Sequence, residues 1–224
     1  MDRDEQQIVR VVVRPYGSAL PLGFLAFGIG MLVLAGIGLG WIEGADTQTA
    51  GIILASFVTP LELLAAAVAF LARDTAGAAS LGLFSTSWLT LGIVLIQGPP
   101  GATSDAVGIY LVGFATMVVA LATVAFAGKP LLGVLLLLAA ARAVVSGIHE
   151  LGVGGTGLQR ADGVIAFAIF VFAAYGGLAL LLEDARQRPV LPTGRIGAAR
   201  AALHDDLSDQ LHRVEREAGV RQQL

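Results

Sequence analysis

Six long apolar stretches, separated by short polar breaks, dominate the chain between residues 20 and 182. A bilayer core about 30 Å thick needs about 20 helical residues, so each stretch is long enough to cross it. They lack the alternating ten-residue pattern of a membrane β-barrel. The pattern therefore predicts an all-α fold: a polytopic membrane protein with six transmembrane helices in a bundle. The stretches cover residues 20–42, 50–72, 78–97, 106–127, 130–148 and 163–182.

The polar flanks of these stretches set the predicted domain organisation. We expect a cytosolic N-terminal segment over residues 1–19, a transmembrane domain over 20–183 and a cytosolic C-terminal segment over 184–224. Apolar residues of the last segment step by three and four, which predicts an amphipathic helix. That helix pairs with its copies, lies on the membrane surface, or is loosely ordered in solvent. The apolar positions are Ile196, Ala199, Leu203, Leu207, Leu211, Val214 and Ala218.

The distribution of basic residues predicts the orientation in the membrane. Of the 14 Lys and Arg residues, twelve lie before the first stretch, after the second, after the fourth or after the sixth. Only Arg160 lies in a connection on the opposite side, and Arg142 lies within a stretch. Because positively charged segments stay cytoplasmic, we expect a multi-pass protein of the cell membrane with both termini in the cytoplasm.

Common catalytic and metal-binding patterns are missing from the sequence. The chain has no cysteine, and His149, His204 and His212 lack metal-ligand spacing. The glycines of the first stretch lie inside an apolar span, where small residues let helices approach closely, and not between a strand and a helix as a phosphate loop requires. We therefore expect no catalytic residues, no metal, no cofactor and no nucleic-acid partner. The chain is predicted not to be an enzyme.

Two ionisable residues, Glu62 and Arg142, fall inside the apolar stretches. Such residues are costly in a bilayer and mark functional candidates. At 1.5 Å per residue, Glu62 lies about 16 Å and Arg142 about 12 Å from the outer edge. We hypothesise that they face the bundle interior and neutralise each other, since a lone buried charge costs more. The pair then belongs to a permeation path or only fixes helix packing; alternatively, Arg142 extends to the interface without a partner.

Two prolines mark local features of the predicted helices. Pro60 cannot donate a backbone hydrogen bond, so we expect it to free a carbonyl and bend the second helix beside Glu62. Pro21 follows Ser18 and suits the first turn of the first helix.

Several short motifs resemble the acetate uptake transporters, typified by the bacterial succinate/acetate permease and its fungal relatives. Residues 18–24 keep Pro21, Leu22 and Gly23 of the family signature Asn-Pro-Ala-Pro-Leu-Gly-Leu. Residues 74–77 and 88–91 resemble the family's Asn-Thr-Phe-Gly and Trp-Leu-Thr-Leu at the same separation, and residues 190–194 resemble its closing motif. The family-matched aromatic residues are Trp88, Tyr110 and Tyr175.

The resemblance implies six-helix protomers in a homo-oligomer, a hexamer in the family, with one pore per protomer for acetate and similar carboxylates. It places an apolar pore constriction at Phe27, Phe84 and Leu137. The family's helix 2 Gln corresponds to Glu62, and Arg142 has no counterpart. Whether the family works as a channel or a proton-linked carrier is left open by the resemblance.

The sequence thus favours passage of small monocarboxylates such as acetate, with the lipid bilayer and protons as further partners. An apolar constriction excludes hydrated ions and favours a solute that sheds water easily. Two alternatives remain: a channel for small neutral solutes such as urea or amides, and a membrane protein without transport activity.

Overall fold

The computed structural model describes residues 17–186 and 188–194. Within these residues, six helices are long and apolar enough to cross a membrane, so the predicted all-α multi-pass fold is confirmed. The predicted amphipathic helix after residue 195 lies outside the described residues, as does most of the N-terminal segment. The helices are α1 (Leu20–Gly38), α2 (Asp46–Leu71), α3 (Thr75–Gln97), α4 (Asp105–Phe126), α5 (Pro130–Glu150) and α6 (Gly155–Arg186).

Several helix boundaries differ from the hydropathy pattern by three to eight residues, and two of them have a plain physical reason. Helix α1 ends at Gly38, four residues early, and Gly40 follows with a positive φ of 75°, a conformation that glycine adopts without a steric penalty. Helix α6 begins at Gly155, eight residues before the predicted stretch. Its first turns carry Arg160 and Asp162, and these charges lower the local hydropathy without preventing helix formation.

The six helices form a closed ring. Each helix packs against the next one along the chain, and α6 packs against α1. The closest neighbours are the antiparallel pairs α1/α6, α2/α3 and α4/α5. Because the helix number is even, both ends of the described chain lie at one end of the ring, which we call the termini face. The opposite end is called the far face.

Each of the three closest helix pairs meets at two glycines that face each other. A Cβ atom on Gly163 would lie 2.7 Å from the carbonyl carbon of Gly38, which is backbone and cannot rotate away. Small residues let membrane helices approach at backbone distance, as expected for the glycines of the first stretch. All three pairs lie toward the far face: Gly38 with Gly163, Gly51 with Gly92, and Gly108 with Gly147.

Substituting one of these glycines is expected to destabilise the ring. Gly163→Ala forces α1 and α6 apart, at a cost of about 1–3 kcal/mol for overpacking. Gly113→Ala on α4 is the matched control, since its Cβ meets nothing within 4 Å and alanine favours the helix. Thermal unfolding in detergent measures both variants. We expect a melting temperature several degrees lower for Gly163→Ala only; equal melting temperatures would contradict the close glycine contact.

Helix α2 is interrupted halfway along its length. Residues Leu54–Val58 form a single π-helical turn, after which the α-helix resumes at Thr59 and Pro60. The predicted break beside Pro60 is therefore this widened turn. The Ser85 hydroxyl of α3 donates to the Thr59 carbonyl oxygen at 3.0 Å, which ties the interrupted segment to its neighbour. Such turns are frequent at functional sites, and Glu62 follows within one turn.

Candidate functional site

A narrow cavity lies at the centre of the ring, between α1, α2, α3 and α5. Its free space is that of about one water molecule. Apolar side chains form nearly the whole wall, and the polar groups on it come from Glu62 and Ser80. The side chains that line the cavity include Phe24, Phe27, Glu62, Ser80, Phe84 and Leu136.

Aromatic side chains fill the space between the helices on one side of this cavity. The ring centroids of Phe27 and Phe84 lie 4.9 Å apart in an edge-to-face arrangement, and Phe84 meets Phe114 of α4 in the same way at 5.1 Å. Phe27 also contacts Trp88, with centroids 5.6 Å apart. Edge-to-face contacts are a favoured arrangement of aromatic pairs. The structure thus brings together Phe27 and Phe84, the two aromatic residues of the predicted constriction.

The third residue predicted for the constriction, Leu137, does not join them. Its side chain is 50% exposed on the outer surface of the helix ring, whereas Leu136 is 1% exposed and lines the cavity. Successive helical residues differ by about 100° in direction, so one position of register separates inside from outside. Residues 135–138 are all leucine, which hid the register. Leu136, and not Leu137, is therefore the α5 leucine that lines the cavity together with Phe27 and Phe84.

Glu62 is the most completely buried ionisable side chain among the described residues. Its side chain is 0% exposed, and neither carboxyl oxygen has a hydrogen-bond partner in the described part of the chain. The Trp88 indole lies beside the carboxyl group without reaching hydrogen-bond geometry, and its Nε1 is also without a partner. The Ser80 hydroxyl donates to the Ala76 carbonyl oxygen at 2.7 Å, which leaves the Ser80 oxygen as an acceptor.

The predicted pairing of Glu62 with Arg142 is wrong. The guanidinium Nη2 of Arg142 lies 2.7 Å from Oδ2 of Asp162, and both side chains are buried. The physical reason is the order of the helices around the ring: α5 packs against α4 and α6, and α2 packs against α1 and α3. The suggestion that Arg142 extends to the interface is also wrong, because the residue is only 6% exposed.

Asp162 is the residue that the sequence analysis missed. It lies one position before the last apolar stretch as read from hydropathy, so it was assigned to a connection. In the structure its depth matches that of Arg142: at 1.5 Å per residue, it lies about 10 Å along α6 from Gly155, close to the level of Arg142 on α5. This depth was not visible in the sequence, because the predicted stretch began only at residue 163. Asp162 on α6 was the alternative to Glu62 as the partner of Arg142 on the preceding helix.

A second cavity lies between the central one and the termini face. Leu20, Phe24 and Leu132 line both cavities. Toward the termini face, Lys129 and Thr193 complete the wall; we call this outer cavity the vestibule.

The cation of the vestibule is matched by a neighbouring carboxylate. Lys129 forms a salt bridge with Asp74, whose carboxylate also caps α3 by accepting from the Gly77 amide at 3.1 Å. Residues 74–77, one of the motifs that carry the family resemblance, thus hold Lys129 at the vestibule.

The residues of the signature motif and Tyr110 take part in helix packing. Pro21 lies in the first turn of α1 as predicted, next to the partly buried Leu22, and a side chain at Gly23 would collide with Leu81. Tyr110 packs against Phe114 with centroids 5.9 Å apart.

Tyr175 lies at the termini face. Its hydroxyl donates to the Pro192 carbonyl oxygen at 2.9 Å. This bond anchors the segment that follows α6 beside the vestibule, where Thr193 forms part of the wall.

The fold and the family were compared with known proteins. A solved structure described as the bacterial acetate channel SatP matches with a TM-score of 0.71 at 19% sequence identity, covering 80% of this chain and 99% of that one. The comparison with curated proteins finds no match. The family model of the GPR1/FUN34/yaaH family matches residues 4–196, most of the chain, and agrees with the resemblance to acetate uptake transporters. The chain therefore belongs to the GPR1/FUN34/yaaH family.

Proposed function

We propose that the chain passes small monocarboxylates such as acetate across the bilayer, through the centre of each six-helix ring. The observation that carries the proposal is the succession of two adjacent cavities, which share Leu20, Phe24 and Leu132 as wall residues. They extend from Lys129 at the termini face to the contact between Phe27 and Phe84. Family membership supports the proposal, as does the fold shared with a structure described as an acetate channel.

The lining suits a small solute with one polar end. Lys129 places a basic group at the vestibule, where a carboxylate arrives from water. Beyond it, Phe27, Phe84 and Leu136 form the proposed constriction, at which an apolar surface holds water and hydrated ions back. A short monocarboxylate presents a methyl or methylene group to this surface and needs to lose little water.

Orientation and assembly form part of the same proposal. The excess of basic residues predicts that the termini face is cytoplasmic in the cell membrane. Large apolar side chains such as Phe70 and Leu63 are exposed around the ring and suit contact with lipid or with neighbouring protomers. A homo-oligomer with one pore per protomer, a hexamer by resemblance, places such faces against each other.

A second candidate function is the passage of small neutral solutes such as urea or short amides. The observation favouring it is electrostatic: Arg142 is matched by Asp162 and Lys129 by Asp74. Neither Arg142 nor Lys129 is therefore left without a counter-charge to neutralise an anion in the central cavity. A neutral solute needs no such cation.

Uptake into proteoliposomes tests both candidates. We expect labelled acetate to enter faster than into empty liposomes, with a rate that rises as the external pH falls from about 8 to about 5, because the acid is then less ionised. Urea serves as the neutral solute. Urea uptake without acetate uptake would favour the second candidate. Rates equal to those of empty liposomes for both solutes would reject transport and leave a membrane protein of another role.

A further inference from the structure

We propose that Glu62 is the ligand-recognition group of the central cavity, where its protonated carboxyl pairs with a neutral carboxyl or primary amide group of the solute. The inference rests on the proposed function and sharpens it: the species that crosses the constriction is the undissociated acid. Each carboxylate then crosses together with one proton.

The surroundings of Glu62 determine its charge state. An ionised carboxylate without a partner in an apolar site is so costly that such a group takes up a proton. The neighbouring helices offer no compensation, since neither α1 nor α3 contains an ionisable side chain. The cations Arg142 and Lys129 are matched by Asp162 and Asp74. Glu62 therefore carries its proton.

A protonated Glu62 presents a specific hydrogen-bonding pattern to a solute. A neutral carboxyl group has one donor and one acceptor side by side, and both oxygens of Glu62 are unpartnered within the described residues. The complementary group also carries a donor next to an acceptor, as in a second carboxyl or a primary amide. The unpartnered Trp88 Nε1 supplies one further donor, and the Ser80 oxygen one further acceptor.

The ionised form of the solute fits this site less well. A carboxylate only accepts hydrogen bonds, so it leaves the acceptor oxygen of Glu62 unused. It also brings a full charge between Phe27 and Phe84, whose rings line the cavity. Burying an uncompensated charge costs far more than burying a paired neutral group. The site therefore selects the neutral acid, which binds as C(=O)OH and releases its proton only after it returns to water.

Electroneutral passage is the first test, and it uses the unmodified protein. Proteoliposomes receive a potassium gradient and valinomycin, which set the membrane potential to about +100 or −100 mV, and acetate uptake is measured at pH 6. We expect the two rates to agree within about twofold, accompanied by acidification of the lumen. A potential of 100 mV changes the distribution of a monovalent anion by about fiftyfold. Uptake that follows the potential would overturn the inference while leaving the proposed function intact.

Variants of Glu62 provide the second test. Glu62→Leu removes the paired hydrogen bonds, and we expect the acetate and acetamide rates to fall about tenfold. Glu62→Gln keeps a donor beside an acceptor, so we expect both of its rates to exceed those of Glu62→Leu by at least about threefold. Acetamide should compete with acetate in the unmodified protein. Wild-type rates in Glu62→Leu, or exclusion of acetamide, would overturn the inference.

Two controls separate this test from other failures. Glu62→Leu replaces an unpartnered buried polar group by an apolar one, so its melting temperature in detergent should equal or exceed that of the unmodified protein. A loss of uptake with unchanged melting temperature therefore reports recognition and not misfolding. Acetate uptake by the unmodified protein that does not exceed that of empty liposomes would reject the proposed function itself.

Discussion

Arg142→Leu is expected to prevent stable folding. Asp162 is 8% exposed and Arg142 supplies its ion pair, so the variant leaves a buried carboxylate without its counter-charge. Breaking a buried pair in this way costs about 3–5 kcal/mol, a large share of the roughly 5–15 kcal/mol by which proteins are stable. Yield of monodisperse protein and thermal unfolding in detergent measure the loss.

The double variant decides whether the charge is the cause. Arg142→Leu with Asp162→Leu removes both charges, and replacement of a buried pair by apolar residues is often neutral or stabilising. We therefore expect the double variant to regain the melting temperature that the single variant loses. Arg160→Leu, on the exposed side of α6, is the matched control and should behave as the unmodified protein. A double variant no more stable than Arg142→Leu would show that shape, and not charge, holds this site together.

The six helices were predictable from sequence because the bilayer fixes their length. Each apolar stretch had to be long enough to span about 30 Å, and all six became helices. The exceptions lie at helix ends. Hydropathy could not show that α6 continues through Arg160 and Asp162 back to Gly155. A hydropathy value counts each charged side chain as unfavourable and does not register an ion-pair partner or contact with water. Asp162 has Arg142, and Arg160 is exposed.

For the residues of the candidate site, the sequence predicted the depth in the membrane but not the neighbouring side chains. Counting residues along a helix gives the depth of a side chain at 1.5 Å per residue, as was done for Glu62 and Arg142. The expectation that Phe27 and Phe84 meet came from the family resemblance, and their rings are in contact. The neighbours of a side chain around the ring depend on helix order and rotation. Glu62 and Asp162 are both compatible in depth with Arg142, and only the packing of α5 on α6 selects Asp162.

The glycine pairs also show that a sequence can predict a close helix contact without identifying the partner helix. The glycines of the first stretch were correctly expected to allow close helix contact, and Gly38 does so against Gly163. The identity of the partner was not predictable, because it lies on the last helix of the ring. All three such contacts lie toward the far face, and the vestibule with Lys129 lies at the termini face. The tightest packing and the vestibule are therefore at opposite ends of the ring.

Blocking the central cavity after folding is expected to abolish transport. The chain contains no cysteine, so Leu136→Cys introduces a single thiol at the cavity wall. Its neighbour Leu137→Cys places the same thiol on the outer surface of the same helix. Modification with N-ethylmaleimide in detergent adds a group larger than the free space of the cavity, which holds about one water molecule. Intact mass measures the extent of modification before reconstitution.

The most direct measurement is acetate uptake by the two cysteine variants after modification. Each variant is compared with its own unmodified sample. The comparison tests whether the solute crosses through the centre of the six-helix ring. We predict that stoichiometric modification lowers uptake by more than about tenfold in Leu136→Cys and leaves it unchanged in Leu137→Cys. Unchanged uptake through fully modified Leu136→Cys, or an equal loss in both variants, would contradict a path through the centre of the ring.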